Sequence, residues 1–216
     1  MKKRTLMLIP VLSLASCNVN NNINTSYKDE EKYIVGNLET TDSVTQIKVN
    51  YILGKINFSY SDDSKVYVSE TTSKEVSEDI QMRYYLNEGI LNVQPCKPGR
   101  RNYSDAKREL DIKIPLSYSL SSITIDSVSS DINSSIEASE FKINTVSGSL
   151  KMSVDTFNKI TCNVVSTDTE ITVKGDIGVK VDFNSVSGKL TNNINTTDEN
   201  HLIKYNTVSG DLVVNK

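Results

Sequence analysis

The chain has 216 residues, 37% of them hydrophobic and 24% charged, with a formal net charge of −3, one histidine and no tryptophan. That apolar content suffices for one folded domain. The acidic balance argues against nucleic acid and anionic lipid headgroups as partners, and a lone histidine argues against a histidine-built metal site or catalytic triad.

Lys2, Lys3 and Arg4 precede an apolar stretch from Leu6 to Leu14, which ends in Leu14-Ala15-Ser16-Cys17. The stretch is too short to span a bilayer and has the charged-then-apolar layout of an export signal. Leu-Ala-Ser-Cys resembles the lipobox of bacterial lipoproteins. That resemblance implies a signal peptide over 1–16 and lipidation of the Cys17 sulfur, with two or more palmitate-like chains anchoring the protein stably in a membrane. Removing Lys2, Lys3 and Arg4 takes the net charge from −3 to −6. Residues 17–42 are rich in Asn, Thr, Asp and Glu and read as a lipidated terminus and flexible tether, reaching about 25–30 Å.

The folded domain is expected over 43–216. Its first rung is Ile47 to Ile56, whose Asn50 and Gly54 match Asn206 and Gly210 of a later segment in pattern. Strand-like runs follow around Val66–Val68, Ile80–Leu86, Ile90–Val93 and Leu110–Ile114, with Asn87-Glu88-Gly89 as a hairpin turn. Between Lys97 and Arg108 the strand pattern is missing, and Lys97, Arg100, Arg101, Lys107 and Arg108 cluster there around Tyr103. Long irregular loops on regular scaffolds carry recognition. This basic loop is therefore a candidate binding site for an anionic envelope polymer, a host surface or an acidic protein.

From residue 122 onward one phrase recurs: Asp126 to Ser130, Asn144 to Gly148, Asn163 to Thr167, Asn184 to Gly188 and Asn206 to Gly210. Copies spaced 18–22 residues apart predict a stack of near-identical coils. The fold class read from this is all-β, a single-domain β-solenoid, right-handed and β-helix-like. Aligned on Val128, Val146, Val165, Val186 and Val208, the copies give two apolar columns. They are Ile123, Phe141, Ile160, Val181, Ile203 and Ile125, Ile143, Cys162, Phe183, Tyr205, with polar residues between them. That is strand alternation with both columns inward. The valine column is expected to face inward too. Asp126, Asn144, Asn163, Asn184 and Asn206 would stack into a side-chain ladder that fixes register. The column Ser130, Gly148, Thr167, Gly188, Gly210 marks a corner, and the late Ile171 of the third copy predicts a bulge.

The Val-Ser-Gly-Asp-Leu phrase, the Ile114-Pro115 strand end and the Gly54-Lys55-Ile56 rung together resemble the bacterial β-strand-repeat family of candidate adhesins. The resemblance covers about residues 43–216. It implies a β-solenoid on the bacterial envelope and supplies no catalytic or binding residues. Ser130 and Thr167 depart from its glycine column.

Other candidates for chemistry are sparse. Cys96 and Cys162 invite a disulfide in an exported chain, but Cys162 shares an apolar column and Cys96 sits in a loop, so a buried hydrophobe plus a reactive loop thiol is the competing reading. His201 reads as a solvated loop residue. The column Asp131, Ser149, Asp168, Lys189, Asp211 is where a polysaccharide-acting β-helix enzyme would place its carboxylates. Asp131 and Asp168, or Asp168 and Asp211 with Lys189 between them, would then stand two rungs apart, about 9–10 Å. The reading carried forward is a lipid-anchored envelope protein serving as a non-catalytic scaffold or adhesin-like binding surface, without metal or cofactor. A polysaccharide-acting enzyme and a purely structural or stress-responsive envelope component are the alternatives.

Overall fold

The computed structural model describes residues 27–99, 105–194 and 200–216. The leader, Cys17, Arg100, Arg101 and Tyr103 lie outside the described residues.

Fourteen strands form one open, all-β sheet among the described residues. In chain order they are β1 (Ile34–Val35), β2 (Leu38–Thr40), β3 (Gln46–Ser61), β4 (Val66–Thr72), β5 (Arg83–Asn87), β6 (Ile90–Gln94) and β7 (Arg108–Pro115). The repeats contribute β8 (Ser122–Ser134), β9 (Glu140–Val154), β10 (Lys159–Val173), β11 (Lys180–Ser185), β12 (Leu190–Asn192), β13 (Leu202–Thr207) and β14 (Leu212–Asn215). β3, β8, β9 and β10 lie side by side in parallel, so that Ile47, Ile123, Phe141 and Ile160 fall in one row and Val49, Ile125, Ile143 and Cys162 in the next. All eight are at most 2% exposed. Period-two alternation of β-branched residues thus builds one continuous core along the stack.

The spatial order of the repeats differs from their sequence order. β10 pairs with β13 through Asn163↔Asn206 and with β14 through Ile171↔Val214, whereas β11 and β12 pair only with β13 and β14. The fifth copy is therefore inserted between the third and the fourth. The fourth becomes the outer rung, and its Val186 and Leu190 are 75% and 39% exposed.

Three local expectations are corrected. The valine column faces outward, with Val128, Val146 and Val165 half-buried and Val208 and Val186 exposed. Alternation from Ile123 and Ile125 runs on to Ser127, and from Phe141 and Ile143 to Thr145, so the residue before the valine, Ser127, Thr145, Val164 or Thr207, takes the inward place. No bulge interrupts β10, which stays in register with β9 from Lys159↔Glu140 to Val173↔Val154. Thr169, 3% exposed, fills the place of Leu150 instead. Residues 30–42, read as tether, carry β1 and β2, which pair antiparallel with β5 and β4.

The glycine column has a packing cause. A Cβ on Gly148 would lie 2.0 Å from the Ser130 carbonyl oxygen, and one on Gly210 would lie 2.1 Å from that of Thr167. Ser130 and Thr167 turn their own side chains inward, 1% and 0% exposed, and so leave room for the glycine stacked on each. At the other end of the stack, β5 and β6 form the expected hairpin, with positive φ at Glu88 (48°) and Gly89 (75°).

Candidate functional site

The residues singled out from sequence occupy different parts of the fold. Lys97 is exposed, 3.7 Å from Asp79. Lys107 is exposed, its backbone N–H donates to Ser73 Oγ at 3.0 Å, and it lines a cleft of about 440 Å³ with Lys55, Glu109 and Asp131. Arg108 is not a surface residue. Being two, four and six residues before Leu110, Ile112 and Ile114, it falls on the inward phase of β7 and is 3% exposed. Glu70 falls on the same phase of β4 behind Val66 and Val68. Arg108 Nε and Nη2 donate to the two Glu70 oxygens at 2.8 Å each, and Nη2 also reaches the carbonyls of Pro95 and Ile80. The Tyr51 hydroxyl donates to Glu70 Oε1 at 2.6 Å, and the guanidinium lies 5.6 Å from the Tyr51 ring centroid. Burial, then the Glu70 charge, pushes the Tyr51 phenol well above its ordinary range. Glu70 was not among the residues picked out from sequence. The signal that finds it is a charge on the apolar phase of a strand, two register positions from another of contrary sign on the neighbouring strand.

The amide column is a directional hydrogen-bonded chain. Asn144 Nδ2 donates to Asp126 Oδ1 at 2.7 Å, Asn163 to Asn144 at 2.9 Å, Asn206 to Asn163 at 2.9 Å and Asn184 to Asn206 at 3.2 Å. A run of amides donating one way needs a terminal acceptor. The carboxylate of Asp126, acceptor-only when ionised, supplies it.

The carboxylates of the outer column are engaged at corners of the stack. Asp131 Oδ1 accepts from Ser149 Oγ at 2.8 Å, Asp168 Oδ1 from the Asp211 N–H at 3.1 Å and Asp211 Oδ1 from the Lys189 N–H at 2.7 Å. The inserted fifth copy puts Asp168 and Asp211 on adjacent rungs, with Lys189 outside them. Among the described residues no group of three His, Cys, Asp or Glu side chains is placed to hold a metal ion.

Both remaining cysteines are buried and neither forms a disulfide. Cys96 is 3% exposed, which corrects the reading of an accessible loop thiol. Cys162 is fully buried, and desolvation pushes its thiol up to about 12. His201 is likewise no free loop residue: Nδ1 meets the Phe157 carbonyl, and the two rings pack edge-on at 5.7 Å.

No protein-family model matches the chain, and no curated protein matches it. Solved structures do. A candidate cell adhesion protein from Clostridium sporogenes ATCC 15579 aligns with 84% of this chain and 99% of its own, with a TM-score of 0.65 at 12% identity. Candidate adhesins from Parabacteroides distasonis ATCC 8503 and Bacteroides fragilis NCTC 9343 each align with 85% of this chain and 97% of their own, at TM-scores of 0.43 and 0.36 and identities of 12% and 11%. The first likeness shows a shared all-β fold. The other two scores are too low to add to it.

Proposed function

We propose that this chain is a non-catalytic, adhesin-like binding module of the bacterial envelope, exported and anchored through lipid on Cys17, with its parallel rungs wound as a right-handed β-solenoid. The observation that carries the reading is the stack itself. Its inward columns close on one another, while its outer faces repeat the same polar positions from rung to rung, an extended surface suited to contact with a partner. The fold shared with a protein named for cell adhesion supports the same reading, and the Leu14-Ala15-Ser16-Cys17 motif supports the anchor. Partners are an envelope polymer, a host surface or a protein, met in part by Lys97, Arg100, Arg101 and Lys107.

The test compares attachment of cells carrying wild type, Cys17→Ala or no copy of the gene to host cells and wall material. Wild type alone should attach and alone should incorporate a fatty-acid analogue. Equal attachment by the deletion strain defeats the binding role, and labelling of Cys17→Ala defeats the anchor.

A further inference from the structure

Beyond the carboxyl ends of β3, β7, β8, β9 and β10, the turns between rungs bound a cleft of about 640 Å³. That volume is in the range of small-ligand sites. Two tyrosines stand in its wall with their rings pinned by their hydroxyls. Tyr60 Oη accepts the Glu137 N–H at 3.1 Å, and Tyr118 Oη donates to the Thr41 carbonyl at 3.0 Å. Leu116, 74% exposed, lies beside them. Successive turns each add a charged group, Glu137, Asp155 and Lys174. Glu137 Oε1 accepts the Asp155 N–H at 3.0 Å, which ties two turns together.

Several polar groups in this cleft have no protein partner. The Asp155 carboxylate, the Asn158 amide and the Lys174 ammonium make no hydrogen bond or ion pair with the described residues. Ser153 Oγ is buried without a partner, a state native structures tolerate only with a reason. Pinned aromatic rings beside an open carboxylate and amide suit a ligand that is apolar on one face and rich in hydroxyls at its rim. A pyranose has that form: its C–H face lies on tyrosine, and adjacent hydroxyls share a carboxylate and an amide. Two carboxylates against one ammonium disfavour an anionic ligand.

We propose that this cleft binds a neutral glycan, with Tyr60 and Tyr118 as platforms and Asp155 and Asn158 as the hydroxyl-reading pair. The proposal rests on the binding-module reading and names one site and one ligand class for it. The full-length chain, in a detergent without a sugar headgroup, is titrated with methyl glycosides of glucose, galactose, mannose and N-acetylglucosamine, and with glucuronate, by saturation-transfer NMR. At least one neutral glycoside should bind saturably and more tightly than glucuronate. The double variant Asp155→Ala/Asn158→Ala should weaken that binding tenfold or more at an unchanged melting temperature, since both side chains are exposed. Asp155→Asn alone should weaken it less and serves if the double variant unfolds. No saturable neutral glycoside, tighter binding of glucuronate, or a folded double variant that binds as wild type overturns the proposal. Cell attachment that persists while no glycoside binds removes the glycan cleft and leaves the adhesin-like reading standing.

Discussion

Among the described residues, replacing Arg108 with serine would leave the Glu70 carboxylate, whose side chain is 6% exposed, with only the Tyr51 hydroxyl and the Met82 N–H as donors. Breaking a buried pair from one side costs about 3–5 kcal/mol, whereas an exposed change such as Lys107→Ser stays within about 0.5 kcal/mol. Urea unfolding should therefore separate two adjacent basic residues, and equal midpoints for the two variants would show the pair to be idle. Glu70→Met/Arg108→Met should recover most of the loss, since no charge is then left buried. The thiols give a second test. Cys96 and Cys162 should both resist labelling until the protein unfolds, read by mass mapping of each peptide. Cys162 titrates at about 12 when folded, against an ordinary 9.0, so the unfolded chain releases its proton first. Stability is then whole below about pH 9 and falls as pH rises from 9 toward 12, with Tyr51 and Tyr205, both raised mainly by burial, adding in the same direction. Unfolding midpoints that are level from about pH 8 to pH 10.5 would contradict this. Charge composition groups Arg108 with the basic loop, whereas strand phase sets it inward. Its place follows from counting back in twos from Leu110.

Among the elements, the long parallel strands are the most legible, because a column of Ile, Phe and Cys repeated at one spacing leaves little freedom in register. The outward place of the valines has a definite reason. They and the serines that follow them are identical in all five copies, yet alternation from the two apolar columns lands on Ser127, Thr145, Val164, Ser185 and Thr207. Sequence regularity at a corner marks geometry as much as burial. The amide column shows what registers the strands. Asn163→Ala removes the donor to Asn144 and the acceptor of Asn206 in the middle of the chain of bonds. The expected cost is about 1–2 kcal/mol, or roughly 2–8 °C in melting temperature for a domain of this size. The same change at Asn184, which is exposed and bonded on one side of the ladder, should cost less. Equal effects would mean that the ladder is not cooperative.

For the whole molecule, the order of rungs could not be read from the repeats, since any copy presents the same columns to any neighbour. What decides it is pairing of β13 and β14 with β10 on one side and with β11 and β12 on the other. A chain shortened to residue 200 should thus lose an interior layer. Its core would be opened next to Ile160, Cys162 and Ile171, all 0% exposed in the intact protein. Hydrogen exchange should rise in β10 as well as in β11 and β12. Protection of β10 unchanged from the full chain would mean that the outer rung had closed the gap by docking directly on it.

The inserted layer also bears on how the protein is made. A ribosome delivers β10, then β11 and β12, and only afterwards the residues that must lie between them. A nascent chain that stacked its coils as they emerged would pair the third repeat with the fourth, whose Asn184 and Phe183 offer the same columns as Asn206 and Tyr205, and would then have to part them again. Productive maturation needs the outer layer to wait, unpaired, until synthesis has passed β13 and β14. β13 and β14, translated after the rung they separate from β10, set the moment at which the stack can close.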